Sequence, residues 1–95
     1  MSETYYIVRC HRAGVFFGHI ARRDGQEVTI TNVRRLWFWS GAATLSQLAQ
    51  EGVKNHSSCK FTMTIPEITV LDAIELIPCS DAAVASIAKV SEWKM

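Results

Sequence analysis

Glu27-Val28-Thr29-Ile30-Thr31-Asn32-Val33-Arg34-Arg35-Leu36-Trp37-Phe38-Trp39 begins as an alternating strand and ends as aromatic rings behind two adjacent arginines. In its first half Val28 and Ile30 share one side and Thr29 and Thr31 the other, the period of two of a half-buried strand. Continued unbroken, that register places Arg34, Leu36 and Phe38 beside Val28 and Ile30, and Arg35, Trp37 and Trp39 beside Thr29 and Thr31. Both sides then turn apolar. Either this portion is covered on both faces, or a bulge intervenes between Asn32 and Arg35.

Upstream, Asp24-Gly25 is the strongest turn signal, because both residues tolerate positive φ. Before it, Tyr5–Cys10 and Val15–Arg23 read as strands separated by the turn-like Arg12-Ala13-Gly14. The first forty residues therefore predict a three-stranded meander. Downstream, a helix is expected from about Ala42 to Glu51, with Ser40 or Thr44 as its cap, capping-box spacing from Thr44 to Gln47, and Gly52 as its stop. Leu45, Leu48 and Ala49 form its apolar stripe.

Lys60 to Ile65 alternates as a strand ending at Pro66-Glu67, and a further strand runs from Ile68 to Pro78. In that second strand Asp72 falls in the row of Ile68, Val70, Ile74 and Leu76, which favours a bulge at Asp72-Ala73 over an unpaired buried acid. Ser80-Asp81 opens a short helix to about Ala88, burying Val84, Ile87 and Ala88. Trp93 is read as a lock for the tail or as a contact residue. The prediction is α+β, a mostly antiparallel sheet of about five strands with two short helices, in the order β-β-β-α-β-β-α.

The chain has 95 residues, 48% of them hydrophobic, which suits one core and one domain over 1–95. No apolar run approaches the roughly 20 residues of a membrane span, and Met1-Ser2-Glu3-Thr4 shows no secretory pattern, so a cytoplasmic protein is expected. Three scattered cysteines, Cys10, Cys59 and Cys79, fit free thiols. Net charge is +1, with +3 over residues 1–50 and −2 over 51–95, and all six arginines lie in the first half. That distribution favours a local anion site over a polynucleotide track.

Catalytic and metal patterns are weak. Cys10 and His11 are adjacent on a strand and point to opposite faces, so they do not readily share a metal with each other, and His56-x-x-Cys59 has no C-x-x-C partner. No local signature supports a Cys-His nucleophile, and Glu67, Asp72 and Glu75 have no spacing that marks an acid–base pair. Gly14-x-x-x-Gly18 lacks the Lys-Ser/Thr of a phosphate loop. A non-enzymatic protein without metal or cofactor is expected.

The candidate binding set is Arg34, Arg35, Trp37, Trp39, Thr44, Ser46 and Gln47. Guanidinium groups take phosphate or carboxylate through paired donors, and indole faces stack on planar rings. A bulge that turns an arginine toward an indole combines both. Amides at the start of the following helix add an anion-favouring element, and Thr44, Ser46 and Gln47 supply polar contacts. The same residue types dominate protein interfaces, and core packing of the aromatic run is the plain alternative.

RAGVFFG at Arg12–Gly18, NVRRLWFWSGAATLSQLAQEGV at Asn32–Val53, CKF at Cys59–Phe61 and EITVLDAIELIPC at Glu67–Cys79 resemble a family of short proteins encoded mostly by tailed phages and prophages. The RRLW-[FY]-W-x-GAA-x-LSQLA string is the specific part. The resemblance implies no catalytic residues. It implies a phage setting, in which proteins of this size disarm host defences or serve as accessory factors. Two expectations follow: a homo-oligomeric protein that sequesters a nucleotide-like small molecule or blocks a host defence protein, or an accessory phage protein whose aromatic surface makes oligomer or virion contacts.

Overall fold

A computed structural model describes residues 4–95; Met1–Glu3, which open the segment without a secretory pattern, lie outside the described residues. The meander forms as expected. Strands β1 (Tyr5–Cys10), β2 (Val15–Asp24) and β3 (Glu27–Phe38) pair antiparallel in sequence order. The two-residue loop between β2 and β3 is Gly25-Gln26, one residue beyond the expected Asp24-Gly25, since Asp24 still pairs with Glu27. Gly25 takes φ 61°, as the first central position of a mirror-type hairpin turn demands.

Of the two alternatives for β3, cover on both faces or a bulge, a bulge is present. Phe17 opposes Arg34 while His19 opposes Thr31, so β3 carries one extra residue there, and Asn32 takes φ 48°. Gly18 faces the bulge. A Cβ at Gly18 would lie 2.6 Å from Ile30 Cγ2 and 2.7 Å from the Thr31 carbonyl oxygen. The bulge shifts parity, so Val33 joins Val28 and Ile30 in one core and Leu36 enters the other.

The second half departs from the prediction. The sheet has six strands, in the chain order β-β-β-α-β-β-β-α. The expected Lys60–Ile65 strand holds only as β4 (Lys60–Phe61), and the expected Ile68–Pro78 strand divides into β5 (Ile65–Val70) and β6 (Ala73–Pro78). Pro66 lies inside β5 instead of ending a strand, which is tolerated because β5 pairs with β3 alone and a missing N–H on an outer edge breaks no ladder bond. The interruption after Phe61 has a cause in β3: the Arg34 side chain takes the carbonyls of Phe61 and Thr62, and the Arg35 amide donates to Thr62 Oγ1.

Strand order is β4-β3-β2-β1-β6, with β5 also on β3, so the last strand lies beside the first. This places β6 at one border of the sheet. β5 and β6 sit at opposite borders of the path β5-β3-β2-β1-β6, yet only Leu71 and Asp72 join them. A flat sheet would hold those borders about 19 Å apart, whereas two linking residues span at most about 11 Å. The sheet must curl, and its concave side encloses Val8, Phe16, Val28, Ile30, Val33 and Val70. The expected bulge at Asp72-Ala73 is replaced by two irregularities, this corner and an extra residue, Ile74, opposite Arg9 and Cys10. Asp72 needs no buried cation. Its Oδ2 accepts from the amides of Arg12 (2.6 Å) and Ala13 (3.2 Å), pinning the β1–β2 turn to the corner.

Two helices cover the other face. α1 runs Leu45–Glu51, three residues shorter at its start than expected, because Thr44 is the cap. Gly52 ends it at φ 77°. α2 runs Asp81–Ala88, the expected span, and Ser80 caps it. Its buried face is rotated toward Ala83, Ile87 and the following Val90, leaving Ala88 exposed. Ile7, Phe17, Leu36, Leu48, Phe61 and Ile87 form the core between sheet and helices. No helix among the described residues is long and apolar enough to cross a membrane.

Candidate functional site

The two arginines part company at once, because neighbours on a strand face opposite ways. Arg34 faces the helices and is 6% exposed. Its Nε donates to Thr62 O (2.9 Å), one terminal nitrogen to Ile87 O (3.2 Å), and the other to Phe61 O (3.2 Å) and Ser91 O (3.4 Å). The guanidinium carbon also stands 5.5 Å from the centre of the Phe61 ring. Its four hydrogen bonds thus go to backbone carbonyls of β4, the residue after it, the end of α2 and the tail. Burial holds its pKa below the ordinary arginine value, against the opposing pull of Glu92. Arg34 joins three segments.

Arg35 lies on the concave-side parity, exposed, with its guanidinium carbon 4.8 Å from the centre of the Phe16 ring. Trp37 follows two residues on. Leu36 opposes Phe61 and Phe38 opposes Lys60, so Trp37 is the extra residue of a second bulge, and bulges re-aim side chains. It points outward, 63% exposed. Trp39 instead packs half-buried against the helix-side core, so the two indoles are separated.

A different indole meets Trp37. Trp93, 47% exposed, stacks on it with centroids 6.2 Å apart and planes 19° from parallel. The tail is held there by backbone: Trp93 N donates to Phe61 O (2.8 Å), Glu92 bridges parallel to Phe61, and Arg34 holds Ser91 O. Lys60 Nζ stands 5.4 Å from the Trp93 ring centre. Beside the pair lie two shallow hollows that share Thr62 as a border. One, of about 210 Å³, is lined by Val33, Arg35, Met63, Ile65 and Ile68; the other, of about 250 Å³, by Trp93, Lys94 and Met95. Neither Lys60 nor Met63 carries a local sequence signal, and Trp93 lies far from Trp37 along the chain.

The helix start is occupied from within. Thr44 Oγ1 accepts from the Gln47 amide (3.1 Å), Gln47 Oε1 accepts from the Ala43 amide (2.8 Å), and Gln47 Nε2 donates to Glu51. Thr44 and Gln47 thereby cap α1, and Ser46 stands exposed on its surface. Ser40 accepts from Asn55 Nδ2 and ties the end of β3 to the following loop.

Among the described residues, His56 and Ser86 form a pair with the look of a nucleophile and base, at 3.0 Å. The hydroxyl is already engaged: Ser86 Oγ donates to Val53 O (2.9 Å) and accepts from Val53 N (3.0 Å). It clamps α1's exit onto α2. The thiols of Cys10 and Cys79 are pushed up to about 11, Cys10 by burial and then by Asp72, Cys79 by burial. Such thiols are poor nucleophiles near neutrality. No group of three or more His, Cys, Asp or Glu among the described residues is placed to hold a metal. Arg34 does border a cleft of about 260 Å³ with Tyr5, Asn32, Thr64 and Glu92, but this is below the usual range for a small-molecule site and contains no indole.

A model of the family described as a domain of unknown function (DUF6948) matches residues 3–87, and the chain belongs to that family. No curated protein and no solved structure matches the chain.

Proposed function

We propose that this family member is a non-enzymatic binding protein that acts by occupying a protein partner through the face built on Trp37 and Trp93. The observation that carries the reading is the exposed, mutually stacked indole pair. Two tryptophans held outward by a bulge and a backbone-pinned tail contribute nothing to either core. Large rigid rings that are pre-ordered in water lose little entropy on binding, which is why such residues dominate interface hot spots.

A nucleotide-like ligand is less well served. Arg34 is already bound to carbonyls, Trp39 packs half-buried against the helix-side core, and the helix-start amide of Ala43 is capped. The resemblance to phage-encoded proteins makes a host defence protein in the bacterial cytoplasm the natural class of partner. Site-specific photo-crosslinking in cells tests this. A cross-linker at position 37 is expected to capture a protein that one at position 46 does not, with capture lost on Trp93→Ala. If instead the purified protein releases a nucleotide on denaturation, and its rebinding survives Trp37→Ala, the reading is wrong.

A further inference from the structure

Resting on that reading, we infer that the partner presents an acidic segment with an apolar anchor, which lies across the Trp37–Trp93 pair between Arg35 and Lys60. Both cations stand on aromatic rings, Arg35 over Phe16 and Lys60 over Trp93, and neither has a carboxylate within ion-pair distance among the described residues. Contact with a ring orients a cation without neutralising it, so both charges remain available to an incoming carboxylate. The exposed apolar groups of this face are the indoles and Met63, 47% exposed, with Thr62 bordering both hollows. An acidic segment satisfies both cations while its apolar side chain covers the rings, and docking such a segment desolvates no unpaired charge.

The same charges argue against a second copy of this chain. A two-fold contact sets a patch against itself, bringing Arg35 and Lys60 toward Arg35 and Lys60 of the partner subunit, a like-charge arrangement. A single-stranded nucleic acid would also use cations and rings, but it needs open ring faces. Here Trp93 has Trp37 and Lys60 as neighbours, and the patch holds two unpaired cations in place of a track.

Selection of a random peptide library of about 12 residues by display against the full chain tests the inference. The expected winners are acidic with one or two aromatic or aliphatic anchors. Their affinity should fall about tenfold or more on Trp37→Ala and about tenfold on Lys60→Glu or Arg35→Glu, and should weaken with salt. Lys60→Gln, expected to melt like the parent, separates lost charge from lost fold. Winners that require Trp37 but are neutral or basic, or that ignore Lys60→Glu and Arg35→Glu, sink the acidic assignment and leave the binding face standing. Winners indifferent to Trp37→Ala, an empty selection, Trp37-dependent self-association in sedimentation, or Trp37-dependent binding of an oligothymidylate probe each overturn the inference.

Discussion

Arg34 shows how one side chain can be prominent in a sequence for a reason other than ligand binding. Its four bonds run to the carbonyls of Phe61, Thr62, Ile87 and Ser91, so truncation removes a donor from all four; Phe61 O keeps the Trp93 amide and Ile87 O the Val90 amide, while Thr62 O and Ser91 O are the acceptors most affected. Leaving buried acceptors unsatisfied is the expensive outcome. Arg34→Ala should cost about 3 kcal/mol or more in urea unfolding, and Arg34→Lys should rescue little, because an ammonium cannot reproduce the planar fork. The titrating groups set the pH limits. Asp72 is held below the ordinary carboxylate range, first by the Arg12 amide and also by Ala13 and the Cys10 thiol. Its contribution is present above about pH 4 and is lost as pH falls through the depressed folded value. Cys10 and Cys79, raised to about 11, work in the opposite sense. Their contribution is full below about pH 9, the ordinary thiol value, and disappears as pH rises toward 11. Melting temperature should therefore drop on both sides, and Cys79→Ala should flatten only the alkaline limb.

At the level of elements, the bulge in β3 depends on a glycine opposite it. Gly18→Ala would push a Cβ against Ile30 and the Thr31 carbonyl, so a loss of about 1–3 kcal/mol is expected. Asn32→Gly should be tolerated at φ 48°, whereas Asn32→Val should not, which thermal melting would show. The break in parity along β3 was legible in the sequence because its two faces could not both be satisfied by one register. The helix starts were legible in part: Thr44 was one of two candidate caps, beside Ser40, and Ser80-Asp81 marked the second start, because caps depend on neighbours three residues away. The division into β4, β5 and β6 was not. It depends on Arg34 and Arg35 taking groups of Phe61 and Thr62, and on Asp72 finding amides of the β1–β2 turn, contacts between residues remote in sequence. The candidate face was half legible for the same reason: Trp37 announced itself, but its companions Trp93 and Lys60 arrive by folding.

Over the whole molecule, the helix-side core and the curled sheet leave the indole pair as a shared product of β3 and the tail. The two stacked rings should give a coupled signal in near-ultraviolet circular dichroism. Trp37→Ala and Trp93→Ala should each abolish the same feature with little loss of melting temperature, and two unrelated spectra would count against the stack. The placement of β6 against β1 has a consequence in time. During synthesis the first described strand emerges early, yet one of its edges stays bare until the ribosome has made Pro78. A nascent chain can assemble the meander before β6 is made but cannot cover that edge of β1, and completion should proceed in milliseconds to seconds, the range of topologies dominated by distant pairings. Until then an unsealed border is available to neighbouring nascent chains, which makes crowded expression the condition under which this protein should misassemble.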